Sequence, residues 1–272
     1  MDFSKEFTIS QKITIAGIGV HSGKKSSITL FPAGEGSGVN FVTGKVKIPA
    51  LINFVKKSSL CTSISNRGYS VKTVEHLLSA LYGLGICNIE IVVEGEEIPV
   101  LDGSSTEFIK IIRNNVLEQN KNREYLNLPS AVYIRNKEKF IIAIPAPEFS
   151  IDYFLDYPKN PPGFLFEKFI FSTDNFIKQI SQARTFGFLE DAAYLNEKGL
   201  ALGSSLENTL VITDEGYSSP LRYYNEPVRH KILDLIGDIS FLGKYLNAKI
   251  IAYKTGHYEH LLLTERILSL PK

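Results

Sequence analysis

The chain has 272 residues, room for about two domains at ~150 residues each. With 44% hydrophobic and 22% charged residues, it does not have the composition of a disordered chain. Lys and Arg number 30 and Asp and Glu 29, and this net charge of +1 excludes a nucleic-acid binder built on a broad basic face.

Residues 1–10 carry Asp2, Lys5 and Glu6 among few apolar residues, so no secretory signal is expected. Residues 7–15 alternate loosely and read as one strand and 25–31 as a second, with Gly17, Gly19 and Gly23 marking the turn between them. Residues 32–44 are Gly-rich and read as loop, and 46–69 as a small subsidiary sheet. A helix starts at Thr73, its expected N-cap, and stops at Gly83 and Gly85. A strand at 88–93, a tight turn at 101–104 and a helix at 105–115 follow. The polar stretch 118–130 reads as a boundary, giving an N-terminal domain at 1–124 and a C-terminal domain at 125–272. Strands are then expected at 131–134, 140–144, 150–156 and 166–172, with a Pro/Gly loop at 158–163. Helices are expected at 188–198, 227–245 and 258–270, and further strands at 210–213 and 249–253. Both parts read as an antiparallel sheet with a few helices, an α+β pattern. The longest uncharged apolar stretch, 77–89, has 13 residues against the ~20 a spanning helix needs, so no transmembrane segment is expected. Cys61 and Cys87 lack partners at ligand spacing and fit a reducing compartment as small buried hydrophobes; the expectation is a cytoplasmic protein.

Five histidines can be taken one by one. His230, Asp234 and Asp238 stand at i, i+4 and i+8 and share one helical stripe, so an imidazole and a carboxylate there can grip one ion. The ordinary alternative is a surface pair worth about 0.2–0.5 kcal/mol. Glu75-His76 opens an apolar helix; position 80 is Ala80, so a paired-histidine zincin motif is absent and further ligands must come from elsewhere. A Glu-His dipeptide is also commonly structural. Together His76, His230 and Asp234 supply two imidazoles and a carboxylate, a set that suits Zn2+ with one position left for water, and Glu75 is the adjacent base. His257 follows Gly256 at a strand-to-helix corner, where it either projects into a site or caps. His260 reads as exposed and non-catalytic. His21, in a glycine-flanked turn, either meets an anionic group or satisfies the turn.

Six segments in order resemble a known family: 17–23 (GIGVHSG), 73–81 (TVEHLLSAL), 98–104 (IPVLDGS), 183–188 (ARTFGF), 228–238 (VRHKILDLIGD) and 253–257 (YKTGH). The chain is similar to the bacterial UDP-3-O-acyl-N-acetylglucosamine deacetylases of lipid A synthesis. The resemblance implies a zinc amidohydrolase that removes acetate from a UDP-sugar bearing an acyl chain. It implies two similar α+β domains with helices packed between them and one insert in each, a small sheet near 40–70 and an acyl passage near 186–212. Phe186, Phe188, Leu189, Leu195, Leu200 and Leu202 supply apolar surface for that passage; ordinary core packing is the alternative. Two stretches depart from the family's usual pattern, Gly203-Ser204-Ser205 and Tyr258-Glu259-His260.

In the mechanism this implies, zinc held by His76, His230 and Asp234 activates water and polarises the acetamide carbonyl. Glu75 takes the water proton, Thr185 and Lys231 stabilise the oxyanion, and His257, oriented by Asp238, protonates the departing amine. Lys231, and more weakly His21, are expected to meet the substrate diphosphate, and Phe186 the substrate. Asp102 is either a residue near the site or a structural turn residue. The partner is a small-molecule acylated UDP-sugar bound to a monomer, without nucleic acid. Two other readings stay open: a zinc hydrolase acting on another acetamido sugar, and a non-enzymatic binding module on the same scaffold.

Overall fold

Alternation builds the sheets. In the strand Lys25–Pro32, Ser26, Ile28 and Leu30 are buried while their neighbours are open, the period of two that a pleat with one packed face demands. The computed structural model describes residues 4–56, 60–158 and 161–271. Residues 1–3, 57–59 of the expected small sheet and 159–160 of the expected loop lie outside the described residues.

The fold is α+β and consists of two similar units. The first is a five-stranded sheet ordered Ile13–Ile18, Lys25–Pro32, Ile89–Glu94, Val39–Thr43, Val46–Pro49. The second places Val132–Asn136, Lys139–Pro145, Tyr245–Tyr253, Ser150–Asp156 and Phe164–Ile170 in the same relative order, with Tyr125–Asn127 added beside the start of Tyr245–Tyr253. In both, two hairpins flank a late strand that is antiparallel to one hairpin and parallel to the other. In both, a helix precedes that late strand and another follows it. The sheets are therefore mixed rather than antiparallel: the late strand arrives by a helical crossover and enters between hairpins already laid down.

The first helix (Glu75–Gly83) packs on the long helix (Glu226–Ile239), which packs on the last helix (His257–Leu268). One hydrophobic core runs through both sheets and these helices. The first helix is buried throughout, and every residue of the long helix but Lys231 is buried. The stripe His230, Asp234, Asp238 therefore does not face solvent, which removes the surface-pair alternative. No helix among the described residues is long and apolar enough to cross a membrane.

Several elements differ from expectation. Residues 7–15 form two strands, Lys5–Ile9 and Ile13–Ile18, because the chain leaves one sheet to join another. The Gly-rich 32–44 holds the strand Val39–Thr43, and the polar 118–130 takes in most of Val116–Asn122 and all of Tyr125–Asn127; strand pairing supplies what composition does not. Residues 46–49 join the five-stranded sheet, and the small three-stranded sheet covers only Val55–Lys56, Ser63–Asn66 and Tyr69–Lys72. Thr73 is not the N-cap: Val74 is, while Thr73 adopts φ 56° and donates its hydroxyl to Glu97. The helix at 188–198 shrinks to Ala192–Glu197 after a strand at Phe186–Phe188. The long helix stops before Gly243, whose φ of 68° turns the chain into Tyr245–Tyr253.

Candidate active site

Glu75 and His76 open the first helix, His230, Lys231, Asp234 and Asp238 lie on the long helix, and His257 opens the last. Gly237 lets the first two of these helices meet. A Cβ at Gly237 would lie 3.0 Å from the Glu75 Cα and collide with the Glu75 carbonyl oxygen. The backbones cross there, and Glu75 and His76 land beside Asp234 and Asp238, which bracket Gly237 on the facing helix.

His76, His230 and Asp234 form the first cluster, all buried. Asp234 Oδ1 lies 3.3 Å from His230 Nε2 and 3.6 Å from His76 Nε2. That oxygen is buried and has no hydrogen-bond partner among the described residues. Ligands at about 2.0–2.1 Å in a tetrahedron stand ~3.3–3.4 Å apart, so the spacing fits an ion. His230 Nδ1 and Asp234 Oδ2 are already engaged, whereas His76 Nδ1 is buried with no hydrogen-bond partner among the described residues. His230 Nδ1 lies 3.1 Å from the Ala183 carbonyl, which takes its proton and leaves Nε2 as a lone pair. Lys231 Nζ donates to Asp234 Oδ2 at 2.9 Å. Burial pushes His230 down to about 4, so the imidazole is neutral. Burial opposes ionisation of Asp234, but His230 and Lys231 beside it hold its carboxyl well below the usual range.

Asp238, His257 and His260 form the second cluster, equally buried. Here the contacts are hydrogen bonds: Asp238 Oδ2 accepts from His257 Nδ1 at 2.8 Å and His260 Nδ1 at 2.9 Å. Thr62 donates its hydroxyl to Asp238 Oδ1 at 2.6 Å and its backbone N–H to Glu75 Oε2 at 3.1 Å. His257 Nε2 points between Glu75 Oε1, 3.6 Å away, and Asp234 Oδ2, 3.9 Å away. Burial pushes the Glu75 carboxyl up to about 7. Burial also works against a charged His257, but Asp238 and Asp234 outweigh it and raise the imidazole to about 9. A carboxyl that rests near neutrality thus faces an imidazole that keeps its proton, a base and an acid within reach of one reacting group. His260, expected to be exposed, is fully buried, because Asp238 gives its polar ring a partner inside.

These groups open on a cavity of about 630 Å³ whose far wall is apolar, with Phe186, Phe188, Leu189, Leu195, Leu206 and Val211. Leu200 and Leu202 are not in its lining; Leu202 instead bonds through its backbone N–H to the His21 carbonyl. His21, Thr185, Phe186 and Lys231 all line the cavity. Thr185 is held by its backbone N–H on the Gly103 carbonyl, at 2.7 Å. Asp102 accepts from Ser104 and pairs with Arg222 at 2.6 Å, so it secures that turn rather than facing the cleft. Burial lowers His21, and its backbone N–H is fixed on Glu97. Cys61 and Cys87 are free and only partly buried.

Two residues escape a reading of the sequence. Thr62 tethers both Asp238 and Glu75 from a loop with no pattern of its own. Glu97 accepts from His21, Ser22 and Thr73 and so ties the glycine-flanked turn to the start of the first helix. Its only signal is an acidic residue beside Ile98-Pro99.

The family model for UDP-3-O-acyl N-acetylglycosamine deacetylase (LpxC) matches residues 6–269. A protein of Trichormus variabilis named UDP-3-O-acyl-N-acetylglucosamine deacetylase is 39% identical over 277 residues, which cover 98% of this chain and 99% of that protein. Proteins of the same name from Myxococcus xanthus and Thermosynechococcus vestitus are 40% identical over 273 residues and 42% over 258. They cover 97% and 93% of this chain, and 86% and 90% of their own lengths. The chain belongs to the UDP-3-O-acyl N-acetylglycosamine deacetylase family.

Proposed function

We propose that this chain is a zinc-dependent amidohydrolase that removes the acetyl group of UDP-3-O-acyl-N-acetylglucosamine, giving acetate and the free amine, the committed step of lipid A synthesis. One observation carries the reading: two imidazole nitrogens stand 3.3 and 3.6 Å from a buried carboxylate oxygen that has no hydrogen-bond partner among the described residues, beside an acid and a base. His76, His230 and Asp234 would hold the zinc, which supplies Lewis acidity toward water and the acetamide carbonyl.

Glu75 takes a proton from the water whose oxygen adds to the acetyl carbon. His257 delivers its Nε2 proton to the amide nitrogen as the C–N bond breaks, and Asp238 holds the Nδ1 side of the ring throughout. Lys231 and Thr185 stabilise the tetrahedral oxyanion from the cavity wall. His21 and Phe186 meet the substrate near the site, Lys231 also faces its phosphates, and the apolar far wall receives the acyl chain. The test is acetate release from the acylated UDP-sugar before and after chelation. Turnover should vanish with chelator and return with added zinc; full turnover in chelator-treated, metal-free protein would overturn the reading.

A further inference from the structure

Behind the second cluster lies a hydrogen-bonded chain that the mechanism above does not use. His260 is fully buried and absent from the cavity lining, so it touches no substrate. Its Nδ1 lies 2.9 Å from Asp238 Oδ2, the same oxygen that takes the His257 proton. Its Nε2 lies 3.1 Å from Thr255 Oγ1. Thr255 in turn stands against Tyr153, whose hydroxyl donates to the Thr255 carbonyl at 2.7 Å and lies 3.0 Å from Oγ1.

The protons of this chain can be counted. Tyr153 spends its one proton on the Thr255 carbonyl, so its oxygen needs none from its neighbours. Asp238 is an acceptor only, so His260 carries its proton on Nδ1. Nε2 is then a lone pair, and the Thr255 hydroxyl supplies the donor it needs. Every group is satisfied once, with His260 neutral, and burial favours that neutral form. The Asp238 carboxylate therefore has three donors around it, Thr62, His257 and His260, and no freedom to turn. The altered stretch after His257 also has a local logic. Glu259 caps the last helix by accepting from the Gly256 N–H at 3.0 Å, and His260, one residue on, is buried as well.

We propose that His260, backed by Thr255 and Tyr153, is a positioning residue that fixes the Asp238 carboxylate and through it the orientation of the His257 ring. The inference rests on the reading of His257 as the proton donor. The spacing argues against a second tetrahedral zinc centre: contacts of 2.8–2.9 Å are shorter than the ~3.3 Å between tetrahedral zinc ligands and normal for N–H···O bonds.

The experiment compares His260→Asn, His260→Gln and His260→Leu in the full-length, zinc-loaded protein. Asn places an amide N–H2 where Nδ1 stands and keeps the donor to Asp238. Gln reaches past Asp238 toward Thr255, and Leu supplies no donor. His260→Leu and His260→Gln should lower kcat by about 10–100-fold, the usual span for a supporting hydrogen-bond partner, with KM within about threefold and zinc content unchanged. His260→Asn should recover most of the loss. The downfield Nδ1–H proton resonance of His257 should persist in His260→Asn and shift or broaden in His260→Gln, a readout that needs no turnover. If Leu does not fold, the Asn–Gln pair decides. Equal kcat and an unmoved His257 resonance in both would overturn the proposal. If His257→Ala leaves turnover intact while the resonance still answers to position 260, the mechanism fails and the positioning stands.

Discussion

Two clusters of two histidines and one aspartate are centred on aspartates one turn apart on the long helix, and they do different work. Around Asp234 the imidazole nitrogens stand 3.3–3.6 Å from Oδ1, which takes no hydrogen bond among the described residues. Around Asp238 they stand at 2.8–2.9 Å with a proton in each gap. Composition and burial are the same; about half an ångström and the placement of two protons separate a cation site from a proton-handling site. The first cluster draws on the first and long helices, the second on the long and last. Residue type and helical spacing thus nominate a metal site, and only distances and proton counts assign one.

The comparison breaks most visibly if each cluster loses a member. Asp234→Ala should abolish stoichiometric zinc, measured as metal content after dialysis, and with it activity. His257→Ala should keep its zinc and lose about 10²–10⁴-fold in turnover, the usual range for a proton-transfer group. Retained zinc in Asp234→Ala, or lost zinc in His257→Ala, would erase the distinction between the clusters.

A pH series sharpens it further. The base must be free of its proton and the acid must carry one. Activity therefore rises with pH as Glu75, near 7, loses its proton, and falls as His257, near 9, loses its own. Each limb changes rate by about tenfold per pH unit once past its midpoint. Residual activity in Glu75→Gln should lack the rising limb and in His257→Gln the falling one. The same limbs in both variants would mean that other groups titrate.

Much of this was legible before any coordinates. Helical periodicity aligned His230, Asp234 and Asp238, and Pro227 marked the start of the helix that carries them, while its end before Gly243 was missed. The two-unit α+β plan followed from strands giving way to helices twice. The division of the stripe, Asp234 for the ion and Asp238 for His257, came from the family resemblance and not from periodicity, because it depends on which neighbouring helix each carboxylate faces. His260 read as exposed because a polar residue three positions into a helix normally is; a buried carboxylate on another element overrode that. Thr62 left no pattern and Glu97 only an acidic residue beside Ile98-Pro99, since each acts through long-range hydrogen bonds. The strands in 32–44 and 118–130 were hidden by glycine and charge, as pairing partners distant in sequence decide such segments.

The smallest effect comes from the crossing point between the two clusters, and there two forces compete. Gly237 lies inside a helix, where Ala would ordinarily be favoured by about 1 kcal/mol. A Cβ at this position meets the Glu75 backbone, with its Cα 3.0 Å away and its carbonyl oxygen closer still. Backbone cannot rotate aside as a side chain can, so the helices must part, at a cost of about 1–3 kcal/mol for overpacking. The steric term wins, and Gly237→Ala should lower Tm by a few degrees, at about 2–4 °C per kcal/mol for a chain of this size. The displacement falls unequally. It separates His76 from His230 and Asp234, which belong to different helices of the crossing, and it spares the bonds from Asp238 to the last helix. Zinc affinity should therefore drop while the downfield Nδ1–H resonances of His257 and His260 stay in place. Loss of those resonances with zinc affinity unchanged would show that the crossing supports the proton cluster instead.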